Sequence, residues 1–156
     1  MRILALILAA LLATPALAQD WARYGNARFG YLVDIPAGFE AQGESANGDG
    51  QSFYYPQRAR GLLVWGGNMQ GDFESEVNSA MDYAVAETGW NITYQVVTPR
   101  WASFSGLKGS RILYQRMVLL CDGSSYGAFR LEYSAADIST MDPMVEHMVQ
   151  SLRGDC

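Results

Sequence analysis

Histidine is almost missing from this 156-residue chain, with His147 the single example. A catalytic zinc site takes three protein ligands, and one imidazole leaves the other two to cysteine or carboxylate. Cysteine is equally sparse: Cys121 and Cys156 are the pair, and their spacing is not that of a C-x-x-C redox motif. The most oxygen-rich loop, Asn47-Gly48-Asp49-Gly50, carries one carboxylate, too few for a calcium loop, and reads as an ordinary turn. With no cofactor loop either, the sequence points to no metal and no cofactor. Basic charge is also short, with eleven Lys and Arg against sixteen Asp and Glu for a net charge of −5. Long-range steering then works against nucleic acid and anionic lipid surfaces. The one local basic concentration, Arg58 and Arg60 in Pro56-Gln57-Arg58-Ala59-Arg60-Gly61, is expected to be a solvated turn.

Long apolar runs are absent after residue 18, where the longest, Met117 to Cys121, has five residues. What precedes is different. Arg2 supplies a positive n-region, Ile3 to Leu12 an unbroken apolar stretch, and Ala16-Leu17-Ala18 an A-x-A site. The apolar stretch falls well short of the roughly 20 residues needed to cross a bilayer. These features predict a signal peptide over 1–18, cleaved between Ala18 and Gln19. No cysteine follows it to carry a lipid anchor. The mature chain, 19–156, is expected to be one globular domain in a bacterial periplasm or secreted, without a membrane span, and a monomer or weak oligomer. Losing Arg2 leaves ten basic residues against sixteen acidic ones. In an oxidising compartment Cys121 and Cys156 are expected to form a disulfide, with intermolecular pairing through the terminal Cys156 as the alternative.

Periodicity divides the mature chain into strands and two helices. Phe29 to Ile35 alternates and stops at Pro36-Ala37-Gly38, whereas Gln42 to Gly50 is polar and Gly-rich and reads as a loop. Short strands follow at Ser52–Tyr55 and Leu62–Gly66. Over 73–88 the period changes: Phe73, Val77, Ala80, Met81 and Ala84 form a helical stripe, with Asp72 as N-cap and Gly89 as terminator. Trp90, Ile92, Tyr94 and Val96 then alternate on one strand face, and a further strand covers Trp101–Ser105. Ile112, Tyr114, Val118 and Leu120 line one side of the next strand, interrupted by Arg116. A turn at Asp122-Gly123-Ser124-Ser125 returns it through Phe129, Leu131 and Tyr133. The last segment predicts a helix with Asp142 as N-cap, Pro143 at its first position, a stripe of Met141, Val145, Met148 and Leu152, and Gly154 at its end. Strands joined by short turns, with one helix inside and one at the end, predict an α+β domain. Its antiparallel sheet has about six to seven strands with two main helices packed on it.

With the strands placed, Tyr24-Gly25-Asn26-Ala27-Arg28-Phe29-Gly30-Tyr31 running into Asp34-Ile35-Pro36-Ala37-Gly38-Phe39 resembles small exported bacterial proteins of the PsbP/Mog1-like class. The likeness extends through the Gly48-Asp49-Gly50 turn, Trp101 to Gly106 and Asp142-Pro143, to Leu152. It implies an antiparallel sheet sandwiched by helices and a binding or assembly-assisting role. Its motifs are turns, so it implies no catalytic residues.

Gly123-Ser124-Ser125-Tyr126-Gly127 matches G-x-S-x-G, the nucleophile elbow, but joins two strands where the elbow needs a strand and a helix. A small esterase using Ser125, with Asp137 or Asp142 and His147, is the enzymatic alternative. It asks much of 138 residues and of a histidine expected on the helix surface. Glu74 and Glu76 sit in a helix's first turn, where the macrodipole favours negative charge. Asn91-Ile92-Thr93 fits a glycosylation sequon that a bacterial-type leader argues against. Aromatics are abundant, with four Trp, nine Tyr and six Phe. Most are expected in the core, while Trp101, Tyr54 and Tyr55 are expected to form a ligand or partner surface. The function expected is a non-catalytic binding or assembly-assisting domain for a protein or small ligand, or else an envelope structural protein.

Overall fold

Alternation along strands and a 3.6-residue period along helices decide this architecture. The computed structural model describes residues 20–156, so the leader and the Ala18–Gln19 junction lie outside the described residues. The chain runs β1 (Ala22–Asn26), β2 (Tyr31–Ile35), β3 (Glu40–Glu44), β4 (Gly50–Tyr55), β5 (Arg60–Asn68) and α1 (Phe73–Ala86). It continues through β6 (Asn91–Val97), β7 (Trp101–Lys108), β8 (Arg111–Leu119), β9 (Ser125–Ser134), α2 (Ile138–Ser151) and β10 (Arg153–Gly154). Seven strands form one antiparallel sheet in the order β3-β4-β5-β9-β8-β7-β6, and β1-β2-β10 form a small second sheet. The expected α+β architecture, two helices on a largely antiparallel sheet, is the one observed.

Cross-strand partners share a face. The row Phe53–Leu62–Leu131–Tyr114 points to a core closed by Tyr31, Val33 and Ile35 of β2 and by Met141, Val145, Met148 and Leu152 around α2. The neighbouring row, Leu63–Arg130–Gln115–Phe104, points to the α1 side. There Phe73, Val77, Ala84 and Trp90 bury Phe104, Leu113, Met117 and Ala128. α1 is capped as its sequence predicts: the Asp72 carboxylate accepts from the Ser75 N–H at 2.8 Å. Gly89 takes φ +72°, and the Gly89 and Trp90 amides donate back to Val85 and Ala84.

Several expectations are corrected. α2 does not begin at Asp142-Pro143. The chain turns helical at Ala135–Asp137, capped by Ser134, and Pro143 lies inside α2. Starting earlier buries Met141 and seats Asp137 against β5. The bond Pro143 cannot donate belongs to the exposed turn around Ser139, where water can replace it. Gly154 does not end the helix but pairs with Tyr31 in the small sheet. Part of the polar 42–50 loop is strand: β3 pairs with β4 up to Glu44, with a register shift between Ala41 and Glu44. Arg60 is no solvated turn residue. It is 4% exposed and ion-paired to Asp137, while Arg58 is the exposed member.

The face predicted for Trp90, Ile92, Tyr94 and Val96 is also split. A bulge between Ile92 and Tyr94 leaves Trp90 and Ile92 on the α1 side and turns Tyr94 and Val96 to the other. That bulge puts Tyr94 on the same sheet face as Trp101.

Candidate functional site

Neither helix spans the large sheet. α1 covers its β6–β9 side on one face, and α2 with the small sheet covers the opposite face from β4 to β8. Two stretches stay open on opposite faces: β6–β7 on the α2 side, and β3–β5 on the α1 side.

On the first stretch Trp101, Tyr94 and Leu107 are 37%, 50% and 43% exposed. Register puts Arg116 among them, paired with Ser103, with Tyr114 opposite Ser105 and Ser105 opposite Tyr94. The Arg116 guanidinium carbon lies 4.3 Å from the centre of the Trp101 ring. Its Nη1 donates to Ser103 Oγ at 3.0 Å, while its buried Nε has no partner among the described residues. Among the described residues no carboxylate reaches within ion-pair distance of it. Burial pulls its pKa below the ordinary arginine value, against the opposing influence of Tyr114 and Tyr94. Burial likewise raises the Tyr114 phenol.

On the second stretch Tyr54 and Leu63 flank a groove of about 520 Å³ whose far wall carries Arg130 and Glu132. Arg130 Nε donates to Oε1 of the fully buried Gln115 at 2.9 Å. Tyr55, the third residue expected on that surface, alternates to the other face. It packs on Phe39 at 5.6 Å and under the Arg60 guanidinium at 5.1 Å. The structure thus separates Trp101, Tyr54 and Tyr55 into three environments.

Ser125 and His147 are not brought together. Ser125 is 1% exposed and its hydroxyl donates to Asp122 Oδ2 at 2.7 Å. Asp122 also accepts the Ser124 and Ser125 N–H groups, and these bonds, the Ser124 amide foremost, lower its pKa. The G-x-S-x-G segment is a turn locked by its own aspartate. His147 Nε2 sits 2.9 Å from Asp34 Oδ2, and its ring stacks on Trp21 at 3.8 Å with 9° between planes. In the Asn47–Gly50 turn both Asp49 carboxylate oxygens accept from within the chain, one from Arg28 at 2.6 Å and the other from Asn47 at 2.6 Å. Cys121 and Cys156 are bonded, with Cα atoms 6.4 Å apart, which ties the chain end to the turn after β8.

Sequence reading missed the Trp21–His147–Asp34–Arg23 cluster, whose members are far apart in the chain and carry no motif. Burial opposes charge on Asp34, but hydrogen bonds from Arg23 (3.0 Å) and His147 outweigh it and hold its pKa below 3.8. A carboxyl depressed by folding contributes stability above its ordinary pKa and loses it as pH falls through the depressed value. Asp34→Asn should therefore lower the melting temperature at neutral pH and flatten its decline below about pH 4. Melts from pH 7 to 2 check this; parallel curves for native and variant protein would refute it. Arg116 did leave a trace in the sequence, as a charge interrupting the apolar side of its strand.

No protein-family model matches the chain, and no curated protein matches it in sequence. Solved structures do match. The Saccharomyces cerevisiae Ran-binding protein Mog1p superposes with a TM-score of 0.65 at 8% identity, over 88% of this chain and 97% of that one. Cyanobacterial PsbP (CyanoP) from Synechocystis superposes at 0.66 with 12% identity, over 94% and 98%. A point mutant of Mog1 superposes at 0.63 with 8% identity, over 85% and 95%. At these identities the likeness concerns architecture, and it agrees with the turns that Tyr24 to Phe39 suggested: the chain has a PsbP/Mog1-like fold.

Proposed function

We propose that this chain is an exported, non-catalytic binding domain that docks a protein partner through the open β6–β7 face, in an assembly-assisting or interaction role. The observation that carries it is Arg116. A half-buried guanidinium stacked on Trp101, with a buried Nε unpartnered and no carboxylate within ion-pair distance among the described residues, suits a partner that brings an acidic side chain. Trp, Tyr and Arg are also the residues enriched where truncation most weakens protein interfaces. That a protein of the same fold, Mog1p, is described as Ran-binding supports a protein partner as the occupant. The leader supports export, and protein from a periplasmic extract should begin at Gln19. Full-length protein held in the inner membrane would refute export.

Mild crosslinking in the periplasm followed by affinity capture tests the docking face. A partner retained by native protein should be lost from Trp101→Ala, whose interface truncation costs about 2 kcal/mol or roughly thirtyfold in affinity. Equal capture by native protein and by the Trp101→Ala and Arg116→Gln variants would exclude this face.

A further inference from the structure

The groove on the opposite face has a floor with no side chain. Gly61 pairs with Tyr54 on one side and Glu132 on the other, so all three share the α1 face. A Cβ built on Gly61 meets nothing within 4 Å. Tyr54 and Leu63, 44% and 42% exposed, give the groove an apolar wall. The space of about 520 Å³ falls in the range of small-molecule sites.

The charged wall is what selects the ligand. Arg130 is partly desolvated, and no carboxylate lies within 4 Å of it among the described residues. Its one fixed partner is Gln115, whose Oε1 must face Arg130 and whose Nε2 is then buried without a bond. A buried orphan amide destabilises the fold, and so does a partly desolvated guanidinium whose neighbouring acid, Glu132, acts on it only from beyond ion-pair distance. Leu113 and Phe104 beside them show that apolar packing is at hand. Arranged this way, the pair holds a guanidinium ready for an anionic group from outside. Glu132 stands two residues along β9 on the same face, roughly 6 to 7 Å away along the strand. A dianion would oppose Glu132 and a dication would oppose Arg130.

We infer that the groove over Gly61 binds a small zwitterion with an apolar body, an apolar amino acid or dipeptide. Its carboxylate lies on Arg130, its ammonium on Glu132, and its side chains lie against Tyr54 and Leu63. This site is independent of the β6–β7 docking face, and Trp101→Ala should leave it unchanged.

Amide chemical-shift titration of the native protein tests it. The probes are leucine, phenylalanine, Leu-Leu and Phe-Leu, beside their N-acetylated and C-amidated forms. Saturable shifts are expected at Gly61, Arg130 and Glu132 for at least one zwitterion, and which series binds distinguishes amino acid from dipeptide. Blocking either end should weaken binding about tenfold or more, since each removes a charge-assisted bond. Gly61→Leu should abolish binding with the circular dichroism spectrum unchanged. Should that variant misfold, Glu132→Gln decides: it should weaken the zwitterion about tenfold and should not weaken its N-acetyl form. Absence of shifts at millimolar ligand, equal binding of blocked and free forms, or undiminished binding in Gly61→Leu would each overturn the inference.

Discussion

Replacing Cys121 and Cys156 together by serine is expected to lower stability by about 3 to 4 kcal/mol, the chain-entropy value for a loop of this size. The two are 35 residues apart and their Cα atoms lie 6.4 Å apart in the folded chain. Set against a typical stability of about 5 to 15 kcal/mol, the loss is large, and the melting temperature should fall by roughly 10 to 15 °C. The effect has a local counterpart. β10 is two residues long and pairs with β2 through Arg153 to Leu32 and Gly154 to Tyr31, followed by an Asp155 amide bond to Gly30 at 2.8 Å. So short a ladder frays without a tether. Hydrogen exchange at Gly154 and Asp155 should therefore accelerate more than exchange in β8 or β9. Native protein in strong reductant should melt with the double variant. Coincident melts of oxidised native protein and variant would sink the idea. Non-reducing mass spectrometry should show one linked peptide pair and no alkylatable thiol.

What the sequence disclosed about this fold follows from which signals are local. The stripe of Phe73, Val77 and Ala84 with Asp72 ahead and Gly89 behind contains everything α1 needs, and α1 forms where that pattern says. The long β8–β9 hairpin was legible for the same reason, through Asp122-Gly123 between two apolar runs. Elements that depend on distant partners were not. β3 is polar and exposed throughout, so nothing in it distinguishes an edge strand from a loop until β4 lies beside it. β10 exists because the disulfide and β2 hold it. The bulge in β6 reverses the face of Tyr94 without any mark in an alternation that continues on paper from Trp90 to Val96. Site residues divide along the same line. Trp101 and Tyr54 were visible as surplus aromatics, whereas the roles of Arg116, Arg130 and Gly61 rest on cross-strand neighbours. Pro143 misled because a proline marks a helix start only when nothing upstream gains by being helical, and Met141 and Asp137 both do.

Asp137 gains that helical turn through Arg60, and their pair should be the most sensitive polar contact in the molecule. Arg60 Nε donates to Asp137 Oδ2 at 3.2 Å, with side chains 5% and 9% exposed. The ring of Tyr55 lies beside the guanidinium, and Arg58 reaches the other carboxylate oxygen at 3.4 Å from a side chain 64% exposed. Together these groups fix the start of α2 to the first residue of β5. Removing one partner leaves a buried charge uncompensated, so Arg60→Ala and Asp137→Ala should each cost about 3 to 5 kcal/mol. Arg58→Ala should cost less than about 1 kcal/mol, because water already screens that contact. The double variant Arg60→Met with Asp137→Leu should recover much of the loss, since no charge then remains buried. Urea unfolding of these four variants and of the Arg60→Ala, Asp137→Ala double variant forms the test, and the Arg60 and Asp137 losses should prove strongly non-additive in that cycle. Raising salt should weaken the native protein little, the pair being shielded from solvent ions. Additive losses, or an Arg58→Ala variant as unstable as Arg60→Ala, would show that α2 is seated by its apolar stripe alone.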